Sequence, residues 1–96
     1  MRQLRIPSEA SSARQAVELA RVWAIDGAQH VSLRADAWPD PAAWGLMLVD
    51  LARHIANSYE QSGSMSSGDA LKRIRNAFDV EWSTPSDEPT GARLTE

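Results

Sequence analysis

The sequence predicts an α+β fold: a two-stranded antiparallel β-hairpin packed on two antiparallel α-helices (ββαα), with flexible N- and C-terminal tails. Three observations predict it. Asp26-Gly27 sits between two strand-like runs, and that dipeptide supplies the positive φ angles a tight hairpin turn requires. Asp40-Pro41 opens a helical apolar pattern that Gly63 closes twenty-two residues later. A second helical stripe follows Ser66 and runs to Trp82.

Ninety-six residues is the length of one domain. Residues 1–16 are polar and aperiodic and read as a flexible N-terminal arm, with Gln3-Leu4-Arg5-Ile6 a brief strand-like stretch. Residues 17–83 read as a single α+β domain. Residues 84–96 (TPSDEPTGARLTE) read as a disordered C-terminal tail.

The strand-like runs are Val17 to Ile25 and His30 to Ala35. A two-residue loop at Asp26-Gly27 sets Val22 opposite Val31, Ala20 opposite Leu33 and Trp23 opposite His30, and a four-residue loop keeps the same side-chain parity. One face is then Ala20, Val22, Ala24, Val31 and Leu33, a small apolar surface suited to helix packing. The other is mixed: Leu19, Arg21, Trp23, Ile25, His30, Ser32 and Arg34.

In the first helix, Asp40 is placed to cap free N–H groups, and Pro41 at the first helical position loses no bond it would have made. At about 100° per residue, one broad arc carries Trp44, Met47, Leu48, Leu51, Ala52, Ile55, Ala56 and Tyr59. The opposite arc carries Asp50, Arg53, Asn57, Glu60 and Gln61. Gly63 is free to adopt the left-handed conformation that ends a helix. Ser66 or Ser67 caps the second helix, with Asp69 three positions beyond Ser66. Its stripe is Ala70, Leu71, Ile74, Ala77, Phe78 and Trp82, with Lys72, Arg75, Asn76 and Asp79 opposite.

A hydrophobic content of 43% and a charged content of 24% are ordinary for a globular protein, so composition sets no unusual class. The absence of cysteine excludes disulfides, thiolate catalysis and the commoner zinc sites. No apolar run approaches the ~20 residues that span a bilayer, so no membrane partner is expected. Residues 1–16 lack the apolar core of a secretory leader, which gives a cytoplasmic expectation. A net charge of −3 disfavours nucleic acid, whose binding draws most of its affinity from a basic field.

The string Val22-Trp23-Ala24, then Trp38-Pro39-Asp40-Pro41-Ala42-Ala43-Trp44-Gly45-Leu46 and Asp50-Leu51-Ala52-Arg53-His54, resembles a family of small bacterial proteins filed as a domain of unknown function. The stretch Ile74-Arg75-Asn76-Ala77-Phe78-Asp79 with Glu81-Trp82 is similar too. The resemblance covers roughly residues 19–86. It implies a small α+β fold, a hairpin followed by two helices, and it brings no activity, cofactor or catalytic residue with it.

Four tryptophans, at 23, 38, 44 and 82, are the compositional outlier. Trp44 and Trp82 lie on helix stripes and read as packing residues. Trp38 precedes Pro39 and reads as a lid at the helix start, in the manner of a hydrophobic staple. Trp23 points to the mixed face. Aromatic and arginine residues mark interface anchors, so Leu19, Arg21, Trp23, Ile25, His30 and Arg34 form the candidate interface. A two-stranded sheet also leaves unpaired edges that invite a second copy.

Catalytic and metal chemistry find little footing. Asp50 and His54 at i and i+4 read as a surface ion pair rather than a metal site, which needs further ligands. Ser64, Ser66 and Ser67 surround a helix start, where capping is their expected task, and no nucleophile-elbow pattern occurs. Lys72, Arg73 and Arg75 are the one basic cluster, but Arg73 falls on the opposite side of the helix from the other two, so a solvated face is expected. The expectation is a protein that is not an enzyme, with no cofactor and no metal. It associates with itself as a homodimer or with another protein. The alternatives are a small-molecule binder with a tryptophan-lined apolar pocket between sheet and helices, or nucleic-acid binding through the second helix.

Overall fold

The computed structural model describes residues 3–84 and, as backbone, residues 93–95. A two-stranded antiparallel hairpin is followed by two helices, the α+β arrangement that the sequence predicts. The elements are α1 (Glu9–Ser12), β1 (Ala20–Ile25), β2 (Ala28–Leu33), α2 (Ala42–Gln61), α3 (Ser67–Ser83) and β3 (Arg93–Thr95). They fall into two compact units, one within Met1–Ala37 and Gly91–Glu96 and the other within Trp38–Thr90.

In the sheet unit, β1 and β2 pair antiparallel with Ala20 opposite Leu33, Val22 opposite Val31 and Trp23 opposite His30. This is the register expected for a two-residue loop. Asp26 at φ 50° and Gly27 at φ 81° both take the left-handed conformation that a type I′ turn demands. The ladder continues one step past the strands, since Arg34 N–H donates to the Leu19 carbonyl at 2.9 Å.

Two elements lie where the sequence reading placed tails. Within the N-terminal arm, Glu9–Ser12 form the single turn α1. Within the C-terminal segment, the backbone of Arg93–Thr95 pairs parallel to β2, Val31 with Arg93 and Leu33 with Thr95. The sheet is therefore mixed, in the order β1-β2-β3 with β2 central. The rest of the expected tails, residues 1–2, 85–92 and 96, lies outside the described residues.

In the helical unit, the Ala42 N–H donates to Asp40 Oδ1 at 3.0 Å, which is the capping role expected of Asp40. Helix α2 ends in a Schellman motif: Gly63 N–H bonds the Glu60 carbonyl and Ser64 N–H the Tyr59 carbonyl, with Gly63 at φ 79°. Three residues later Ser66 Oγ accepts from the Asp69 N–H at 3.1 Å and starts α3. Glu60 Oε1 accepts the Ser67 N–H at 3.1 Å, so the last turn of α2 satisfies a free donor at the first turn of α3. The two helices pack on each other. Ala56 and Ala70, each seven positions from Gly63, are 2% and 4% exposed and are the fully buried apolar residues among those described.

Candidate interaction surfaces

Pleat alternation puts Arg21, Trp23 and Ile25 of β1 on the same side as His30 of β2, with Trp23 directly opposite His30, and the bonded pair Leu19 and Arg34 just beyond the strands continues that side. All six candidate residues therefore lie on one face of the hairpin. Leu19, Trp23 and His30 are half-buried, while Arg21, Ile25 and Arg34 are exposed. The sequence reading set a buried alkyl face against an outward indole. The structure does not divide the faces that way. Val22 is 61% exposed, Val31 is half-buried, and the larger Trp23 is more covered than Val22.

Glu18 organises the arginines, a role that sequence reasoning missed. Its carboxylate Oε1 accepts from Arg21 Nε at 2.9 Å, and its backbone carbonyl accepts from Arg34 Nε at 3.0 Å. Both guanidiniums are thus turned toward the base of β1. The signal was present in the sequence, since Glu18 and Arg21 stand three apart, but its use depends on the hairpin bringing Arg34 alongside. Around this cluster lies an open cleft of about 340 Å³, lined by residues 18–21 and 32–34. A larger open cleft of about 730 Å³ lies between β1 and the N-terminal segment, with Leu4, Ile6, Val17, Val22 and Trp23 among its lining.

The helical unit carries the broadest apolar exposure. On α2, Leu48, Leu51 and Ile55 are 48%, 47% and 42% exposed, and Leu46, Val49 and Tyr59 also face solvent. On α3, Phe78 and Trp82 are exposed and stacked on each other, with centroids 5.5 Å apart and planes inclined by 20°. Trp82 was expected to pack; instead it is 76% exposed. Trp38 meets Trp44 edge to face beside the start of α2, with ring centroids 5.1 Å apart.

The remaining chemical candidates are dispersed. Asp50 and His54 make no ion pair with each other, contrary to expectation, because both are exposed and solvent competes with an i,i+4 contact. No group of three or more His, Asp or Glu side chains among the described residues is arranged to hold a metal ion. In the basic cluster of α3, Arg75 Nε is held by both carboxylate oxygens of Asp79, at 2.9 and 3.1 Å. Among the described residues, the Glu9 carboxyl is held below its ordinary value, first by the Ser8 hydroxyl, which donates at 2.8 Å. Among the described residues no polar or charged side chain is buried, and no helix is long and apolar enough to cross a membrane.

Comparison with known proteins agrees with the fold. No curated protein matches the chain. A solved structure from the photosynthetic bacterium Rhodopseudomonas palustrus CGA009, described as that of a "putative pyruvate dehydrogenase", is 35% identical. The likeness covers 95% of this chain and 93% of that one, with a TM-score of 0.75. Residues 3–86, nearly the whole described chain, match the domain of unknown function DUF5076, and the protein belongs to that family.

Proposed function

We propose that the protein is a non-enzymatic interaction module whose first partner is a second copy of itself. One observation carries this reading. After α2 and α3 have packed on each other, Leu48, Leu51, Ile55, Phe78 and Trp82 still stand 42–76% exposed. Scattered surface leucines are ordinary in a monomer, but clustered large apolar side chains mark an association surface. Domains of this size also gain most from oligomerisation, because a single small core stabilises them only marginally. The hairpin face of Leu19, Arg21, Trp23, Ile25, His30 and Arg34 is the second surface offered, with its arginines held in place by Glu18.

The absence of enzymatic activity is part of the same proposal. Catalytic acids and bases are tuned by burial and by close charged neighbours, and among the described residues no polar or charged side chain is fully buried.

Sedimentation across a hundredfold concentration range tests the proposal. The expected result is a mass that rises above 10.5 kDa toward an integral multiple. A constant 10.5 kDa species would overturn it. Trp23→Ala then sorts the surfaces: weakened association with unchanged melting assigns Trp23 to the interface, and lowered melting of the monomer assigns it to the sheet unit's own packing.

A second reading has one observation in its favour. The 730 Å³ cleft beside Trp23 lies in the size range of small-molecule sites and is lined in part by apolar side chains. Quenching or a blue shift of tryptophan emission by an apolar dye, lost in Trp23→Phe, is the result that supports it.

A further inference from the structure

The spacing of α2 says which residues of two copies meet. Trp44, Leu48, Leu51 and Ile55 follow at intervals of 4, 3 and 4, which are successive d, a, d and a positions of a heptad. At about 100° per residue this row centres roughly 110° around the helix from the buried Ala56. It is therefore a separate seam from the side of α2 that carries Ala56. Trp44 is half-buried beside Trp38, and the other three are nearly half exposed.

That spacing is the same in either chain direction. An isologous two-fold interface needs a surface complementary to itself, and a d-a-d-a row meets this need when a second row runs the opposite way. We propose that α2 pairs antiparallel with α2 of a second copy, Leu48 against the second copy's Leu51 and Trp44 against its Ile55. This deepens the self-association reading and rests on it.

Two features of α2 point to a second copy as the occupant. Its formally charged residues, Asp50, Arg53 and Glu60, all lie about 130° or more from the seam's centre, so pairing neither buries a charge nor opposes like charges. Antiparallel pairing also sets bulky Trp44 against the smaller Ile55 and opposes the helix dipoles favourably. A parallel pair would stack Trp44 on its own counterpart.

The chain has no cysteine, so the test is clean. Leu48→Cys and Leu51→Cys proteins are oxidised separately and as an equimolar mixture, and the covalent dimer is followed on non-reducing gels. The mixture is expected to cross-link at least ~10-fold faster than either variant alone, because only mixed pairs bring the two sulfurs within disulfide reach. Leu51→Asp is expected to shift a dimer to monomer with its helical circular dichroism retained. Rapid cross-linking of Leu48→Cys alone would overturn the antiparallel arrangement. A wild-type dimer whose cysteine variants do not cross-link in any combination would place the contact elsewhere, on the hairpin face or on α3, and sink this proposal alone. A monomeric wild type would sink the self-association reading itself, so the two failures are distinguishable.

Discussion

Ala56→Leu probes the contact between α2 and α3 most directly. Ala56 is 2% exposed and Ala70 4%, and each is seven positions from the Gly63 turn. Both lie in the unit where α2 and α3 pack on each other, and both are small side chains at buried positions. Leucine adds three carbons where no space remains. On an exposed helical position the same change is nearly free, altering intrinsic propensity by only a few tenths of a kcal/mol. At a filled site, overpacking costs about 1–3 kcal/mol. For a domain of this size each kcal/mol lowers the melting temperature by roughly 4–8 °C, so the variant should melt at least ~4 °C below wild type. Asn57→Leu, one position along and exposed, is the control and should stay near wild type. Far-UV circular dichroism melts serve as the assay, run at one protein concentration because association makes melting concentration-dependent. If Ala56→Leu melts within ~2 °C of its control, the helices do not meet at these alanines and the account of their packing is wrong.

Three further outcomes follow from local geometry. Gly27→Ala forces a Cβ onto a residue at φ 81° and should cost about 1–2 kcal/mol, seen as faster amide exchange in β1 and β2 with α2 and α3 unaffected. Ser66→Ala removes the acceptor for the Asp69 N–H and should destabilise the helical unit by about 1 kcal/mol, with a serine-to-glycine change costing less. The Ser8 hydroxyl that donates to Glu9 favours the ionised carboxylate in the folded state, so the α1 turn is supported above the ordinary glutamate pKa and loses that support as pH falls through the lowered folded value. An NMR titration of the Ala10 and Ser11 amides should show a midpoint below that of Ser8→Ala; equal midpoints would remove the hydroxyl as the cause.

Local signals in the sequence were legible because their chemistry is local. Asp26-Gly27 determines its own turn and therefore the pairing of Trp23 with His30. Asp40, Gly63 and Ser66 likewise bond to groups within five positions along the chain. Long-range pairing was not legible. Nothing in Arg93-Leu94-Thr95 distinguishes a strand from a tail, since its backbone bonds are made to residues some sixty positions earlier. The clustering of Arg21 and Arg34 on Glu18 escaped for the same reason. The wide apolar arc on α2 was correctly seen as apolar but taken as one surface. Ala56 lies in one part of it, buried, and Leu48, Leu51 and Ile55 lie in another, exposed. Periodicity counts the apolar positions without saying how many partners divide them.

The parallel strand β3 bears on how the chain acquires its fold. Its partner β2 belongs to a hairpin closed by two residues, whereas Val31 and Arg93 are separated by 62 positions. Loop closure over that distance costs about 3.7 kcal/mol of entropy by the (3/2)RT ln n rule, with only a three-residue ladder to offset it. The hairpin and the α2–α3 pair should therefore form first, each from near neighbours, and β3 should dock last. Until it does, the outer side of β2 has unpaired backbone donors and acceptors, the condition under which partly folded chains capture one another. Refolding at high concentration should accordingly lose more material to aggregation than refolding at low concentration, and the loss should be concentrated in the interval before the Val31–Leu33 amides become protected.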